Sequence, residues 1–206
     1  MTAELLRNHF DVSRETIERL EIFAATLTKW NPKINLVSKR SLDELWSRHI
    51  LDSMQVYFAV DASINNWLDI GSGGGLPGVI VGILAMEHAK VGSVRLMESD
   101  QRKCAFLRNV ARECGVPLTV TCERIEQATP EQADILSARA LADLSDLLSF
   151  SERHLQKGGT AVFPKGISWK KEVDNALKQW RFEWEAITSL TEPEAVILKI
   201  KGVERV

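Results

Sequence analysis

The segment WLDIGSGGGLPG, residues 67–78, constrains this chain more than any other stretch. An apolar run ends in an aspartate, breaks into glycines, and resumes as a second apolar run. A strand that delivers its chain into such a loop leaves room for a ligand at the turn, because glycine lacks a Cβ and tolerates positive φ. Pro77 suits the first turn of a helix. The following VIVGILAM is apolar enough for a helix packed deep against a sheet. The loop is thus expected between two rigid elements, where binding residues gather.

Two ligand classes use that arrangement. Gly73, Gly75 and Gly78 satisfy the G-x-G-x-x-G spacing of dinucleotide sites. In those sites the first glycine follows the strand at once, whereas here Asp69 and Gly71 come earlier and give D-x-G-x-G, the spacing of S-adenosylmethionine (SAM) sites. The spacing favours a methyl donor, with an NAD-dependent oxidoreductase as the alternative. A ligand-free turn is disfavoured, since each loop glycine costs roughly 0.5–1 kcal/mol in backbone entropy.

With 206 residues and 45% hydrophobic content, the chain can bury one core and a small appendage. Its longest apolar run, residues 79–86, is far shorter than the roughly 20 residues of a membrane span. The amino terminus lacks the apolar region of a signal peptide, so a cytoplasmic protein is expected. Cys104, Cys114 and Cys122 have no C-x-x-C spacing and read as reduced packing residues, and His9, His49, His88 and His154 show no metal-ligand spacing. No metal is expected.

A net charge of −2 excludes a protein that coats nucleic acid indiscriminately. Local excess remains. Residues 29–49 carry Lys29, Lys33, Lys39, Arg40 and Arg48 against Asp43 and Glu44, and residues 165–181 carry Lys165, Lys170, Lys171, Lys178 and Arg181 against Glu172 and Asp174. Five cations against two carboxylates leave each segment at net +3.

Apolar spacing predicts an amphipathic helix from residue 14 to Trp30, stopped by Asn31 and Pro32. A second helix should start at a Ser41/Glu44 capping box. Residues 1–62 therefore read as a helical extension packed on a core of residues 63–206. In that core WLDI, SVRLMES, LTVTC, ADILSA and TAVFP alternate with helices: one after the glycine loop, one over residues 101–114 capped by Asp100, one over residues 143–155 closed by Gly158 and Gly159, and one over residues 168–180. Such crossovers imply a parallel sheet. RFEWEAITSL and EAVILKIKG then form a terminal antiparallel hairpin. The expected fold is α/β: a doubly wound, seven-stranded, Rossmann-like SAM-dependent methyltransferase fold with an N-terminal helical extension.

Ligands of such sheets lie across the carboxyl ends of the strands. Glu98 ends the second strand, where a carboxylate can accept both ribose hydroxyls. Ile125 and Glu126 follow the third, suited to cover adenine and to read its edge. Arg139 ends the fourth; it cannot act as a base, but its planar fork can bind a carboxylate or stack on a nucleobase.

WNPKINLVS, RHILDS, DIGSGGGLPG, the glutamate after the second strand, and SARA followed by FPKG resemble the RsmG (GidB) family over nearly the whole chain. The resemblance implies a bacterial enzyme that moves a methyl from SAM to N7 of the guanine at position 527 of 16S rRNA, in the 530 loop. It places the cofactor on Gly71, Leu76, Ile125, Glu126 and Arg139, with Gly73 and Glu98 lining the site. Gly74 stands where proline is common, and Pro32 and Lys33 vary the amino-terminal motif. Guanine N7 attacks as a neutral lone pair, so no general base is expected. Lys33, Lys39, Arg40, Arg48, His49 and Lys165 are the expected RNA-facing rim. The partner is 16S rRNA or the small ribosomal subunit, the enzyme a monomer. A noncatalytic RNA-binding protein is a further alternative; its signature, a degraded loop or a missing second-strand acid, is absent.

Overall fold

A computed structural model describes residues 6–206, the side chain of Arg40 excepted. Helix α1 (Arg14–Ile34) opens on Ser13, whose hydroxyl accepts the Thr16 amide, and buries Ile17, Leu20, Phe23, Ala24 and Leu27. Glu87 clamps this start by accepting from Ser13 and Thr16. The helix does not stop at Asn31 and Pro32 as expected. It runs to Ile34 and closes on Asn35 in the left-handed region. The Asn31 side chain supports this overrun, its Oδ1 accepting the Leu36 and Val37 amides at 2.7 and 2.9 Å. The start of the next helical stretch also differs: Ser38, three residues before Ser41, caps α2 (Lys39–Leu42). Glu44 makes no capping hydrogen bond. A wide π-helical stretch (Leu45–Leu51) then leads into α3 (Asp52–Phe58).

The glycine loop leads from β1 (Ile64–Ile70) to α4 (Gly78–His88), followed by β2 (Val91–Glu98), α5 (Gln101–Glu113), β3 (Leu118–Cys122), β4 (Ala133–Ser137), α6 (Leu144–His154), β5 (Leu155–Lys165), α7 (Trp169–Ala176), β6 (Trp180–Thr188) and β7 (Val196–Arg205). The sheet order is β3-β2-β1-β4-β5-β7-β6, with β7 antiparallel to both neighbours. This is the expected seven-stranded fold, and Asp100 caps α5 as expected. Strand order reverses between β1 and β4, which opens a crevice at their carboxyl ends.

Two expected boundaries move. Helix α6 ends at His154, and Gly158 and Gly159 lie inside β5 at a break in its pairing with β4. A Cβ on Gly159 would stand 2.9 Å from the Ala133 carbonyl oxygen, so the glycine marks close strand approach, not a helix stop. Helix α7 ends at Ala176, because Trp180 is buried as the first residue of β6.

The apolar faces of α1, the π-helical stretch and α3 join α4, α5 and one sheet face in a continuous cluster. A second cluster fills the opposite face beneath α6 and α7.

Candidate active site

Two cavities meet at the crevice. The first, of about 420 Å³, lies over the ends of β1, β2 and β3 and is lined by Gly71, Met97, Glu98, Ile125, Glu126 and Leu141, among others. Its floor is the glycine loop. Gly71, Gly73 and Gly75 have φ of 60°, 48° and 82°, a region disfavoured for side chains. A Cβ on Gly71 would meet Leu141 at 2.5 Å, so the backbone there is approached closely from above. Glu98 organises the loop from the side: Oε2 accepts the Gly73 amide at 2.9 Å, and Oε1 accepts the Ser99 and Asp100 amides at 2.8 and 2.9 Å. Gly74 packs on the Leu36 carbonyl, which makes the INLVS segment a buttress of the loop.

Of the residues expected around a donor, Gly71, Glu98, Ile125 and Glu126 line this cavity, and Gly73 is bonded to Glu98. Leu76 sits behind the loop in the core. Arg139 stands apart, on the wall of the second cavity.

That second cavity is an open groove of about 870 Å³. It is walled by Leu36, Val37, the π-helical stretch with Arg48 and His49, the β5 end at Lys165, and the turn between β6 and β7. Ala140 belongs to both cavities, in the left-handed region at φ 51°. It is the one lining residue the two share.

The groove sorts the expected RNA rim. Lys33, Lys39 and Arg48 are exposed, and the Arg40 side chain lies outside the described residues. Lys165 departs from the rim: its side chain is 9% exposed, and its ammonium donates to Ala142 O at 3.2 Å and Glu172 at 2.8 Å. It tethers the loop after β4. His49 lines the groove, but burial, with the Arg139 and Arg48 charges, lowers its pKa to about 4 and leaves the ring neutral near pH 7.

Sequence reading missed four groove residues. Gln55 accepts the Leu190 amide at 2.7 Å and donates to Asp52, which also accepts from Thr191. Ser189 bonds Thr191 at 3.0 Å. This latch joins the helical extension to the final hairpin. The polar Asp52 and Gln55 within a mostly apolar helical run were its only trace.

Beneath the glycine loop, Asp69 is fully buried. Trp67 Nε1 donates to Ser137 Oγ at 2.9 Å, and that hydroxyl donates to Asp69 Oδ1 at 2.7 Å. Burial pushes the Asp69 carboxyl from 3.8 up to about 6, against the pull of the Ser137 hydrogen bond. Because the folded value lies above the unfolded one, this group's stabilisation is present below about pH 4 and is lost as pH rises through about 6. In Asp69→Asn the stability to urea should therefore fall less between pH 4 and pH 8 than in the unaltered protein. An equal fall in both proteins would contradict the assignment.

Among the described residues there is no metal-binding cluster and no helix long and apolar enough to cross a membrane. A sequence model of rRNA small subunit methyltransferase G matches residues 16–198. The chain is 68% identical over 196 residues to a ribosomal RNA small subunit methyltransferase G of Ruegeria sp. (strain TM1040), covering 95% of each. It is 43% identical over 206 residues to one from Cereibacter sphaeroides (strain ATCC 17029), covering 100% of each. Among solved structures, a methyltransferase from Geobacter sulfurreducens superposes with a TM-score of 0.61 at 12% identity, covering 97% of this chain and 96% of that one. A mutant of MtNAS in complex with S-adenosylmethionine reaches 0.60 at 14%, covering 90% and 75%.

Proposed function

Because the chain belongs to the rRNA small subunit methyltransferase G family, a family of SAM-dependent enzymes, we propose that it methylates N7 of one guanine of 16S rRNA, position 527 in the 530 loop. Family membership displaces the oxidoreductase alternative. The intact glycine loop and its bond to Glu98 speak against a noncatalytic protein.

The observation that carries this reading is the shared wall at Ala140, across which a donor cavity and an acceptor groove meet. SAM, when bound, supplies an activated methyl group on a sulfonium. Gly71 and Gly73 would let its amino-acid end lie on the backbone, with Leu76 fixing the loop from behind. Glu98 Oε2, which accepts one amide and keeps acceptor capacity, would face the ribose hydroxyls. Ile125 would cover adenine, and Glu126 would read its edge.

Guanine N7 has a free lone pair on the major-groove edge, so transfer needs no proton removed beforehand. The work left to the protein is alignment, worth roughly 7–11 kcal/mol in favourable cases. The major groove of paired RNA is deep and narrow, so the groove beside Arg48 suits a splayed or loop base. Lys33, Lys39 and Arg48 would hold its flanking phosphates.

Mass mapping of 16S rRNA from cells with and without the gene tests this reading. The guanine should carry N7-methyl only when the protein is present. Its retention in the deletion strain would overturn the target assignment.

A further inference from the structure

We infer that His154 is a positioning residue for the adenine end of the donor site, an inference that rests on the SAM site proposed above. The turn that follows β3 carries Ile125 and Glu126, both of which line the donor cavity. Helix α6 holds that turn at two points. His154 Nε2 donates to the Ile125 carbonyl at 2.9 Å, and Arg153 donates to the Ala128 carbonyl from Nη2 at 2.7 Å and from Nε at 3.2 Å. Asp146 and Phe150 of the same helix line the cavity. Asp146, Phe150 and His154 recur every four residues and so share one face of α6, which makes cavity wall and anchor a single rigid element.

A carbonyl can only accept, so the His154 proton sits on Nε2 and Nδ1 is left as an acceptor. Nδ1 is buried and has no hydrogen-bond partner among the described residues. Burial lowers the His154 pKa and keeps the ring from becoming cationic. An apolar side chain of similar size would fill this place without stranding a nitrogen. What the imidazole adds is the one partner that the Ile125 carbonyl has among the described residues.

The peptide between Ile125 and Glu126 is trans, so its carbonyl and its N–H point in opposite directions. Fixing the carbonyl on His154 therefore also fixes the Glu126 N–H, which makes no hydrogen bond among the described residues. It fixes as well where Ile125 and Glu126 stand on the cavity wall. Adenine presents an acceptor, N1, beside a 6-amino donor, whereas hypoxanthine reverses both, with a proton on N1 and a carbonyl oxygen at C6. A turn held in place tells the two apart, and a loose one does so less well.

The test is calorimetric binding of S-adenosylhomocysteine and S-inosylhomocysteine, which differ only at that edge, to the unaltered protein and three variants, each with its melting temperature. His154→Leu removes the donor. His154→Gln keeps an amide that can reach the Ile125 carbonyl, and Arg153→Ala frees the other end of the turn from an exposed position. The unaltered protein should prefer the adenosyl compound. His154→Leu should lower that preference about tenfold, the range of one misplaced hydrogen bond; His154→Gln should restore most of it, and Arg153→Ala should lower it less. A preference unchanged in His154→Leu would overturn the inference. So would an equal weakening of both compounds in that variant with a lower melting temperature, which marks a core residue only. If His154→Leu does not fold, the preference in Arg153→Ala decides in its place. Unaltered protein that binds S-adenosylhomocysteine without preference would contradict the adenine placement and this inference with it, and protein that binds neither compound would overturn the donor site itself.

Discussion

Glu98→Ala should weaken SAM binding by up to about 100-fold in a calorimetric titration, a larger loss than any other single side chain in the donor cavity would cause. One 8%-exposed carboxylate collects three backbone amides, those of Gly73, Ser99 and Asp100. Removing it strands the Gly73 amide in a left-handed turn, and an unsatisfied donor of this kind costs roughly 1–3 kcal/mol. It also deletes the charged acceptor expected to meet the ribose hydroxyls, and hydrogen bonds to a charged acceptor are about twice as strong as neutral ones. The stranded amide costs stability with or without SAM, so the affinity loss comes from the charged acceptor, whose hydrogen bonds contribute about 1.5–3 kcal/mol, up to about 100-fold. Glu98→Gln keeps the shape and one acceptor oxygen, so it should fall between. A SAM affinity unchanged in Glu98→Ala would show that the carboxylate shapes neither the loop nor the sugar site.

Gly78→Ala should lower the melting temperature by roughly 5–10 °C without touching a ligand. Gly78 begins α4, which lies flush against the sheet. A Cβ there would stand 2.3 Å from Leu96 Cδ2 and 2.8 Å from Asp69 Cβ. Leu96 could turn aside, but the Asp69 Cβ belongs to the buried strand and cannot move without the backbone. Overpacking of this kind costs about 1–3 kcal/mol, and each kcal/mol shifts the midpoint of a chain this size by roughly 2–4 °C. Gly166→Ala, with nothing within 4 Å of its would-be Cβ and no positive φ, serves as the neutral control. Equal midpoints for the two variants would show that α4 does not pack as described.

The sheet was legible because its signals are local. Of the four loop glycines expected to tolerate positive φ, Gly71, Gly73 and Gly75 take it and Gly74 does not; Asp100 does cap its helix, and the carboxylate at 98 does end its strand. Residues set by long-range contacts escaped. Pro32 looked like a stop, yet the Asn31 side chain ties the following amides and carries α1 past it. Trp180 fitted a helical stripe until pairing with β7 drew it into a strand. In the site, Gly71, Glu98, Ile125 and Glu126 could be placed because each follows a parallel strand. Arg139 and Lys165 also follow strands, but their long side chains reach away, to His49 and to Ala142 and Glu172. Strand position gives the place of a Cα, not the destination of a flexible cation.

The most direct test is transfer itself. Purified protein, SAM labelled in its methyl group, and small subunits from the deletion strain are combined, and the labelled rRNA is digested and mapped. The account predicts one methyl per subunit, on N7 of the guanine at position 527, and none on subunits already modified there. Label on another atom or another nucleotide, or no transfer from a protein that binds SAM, would contradict it.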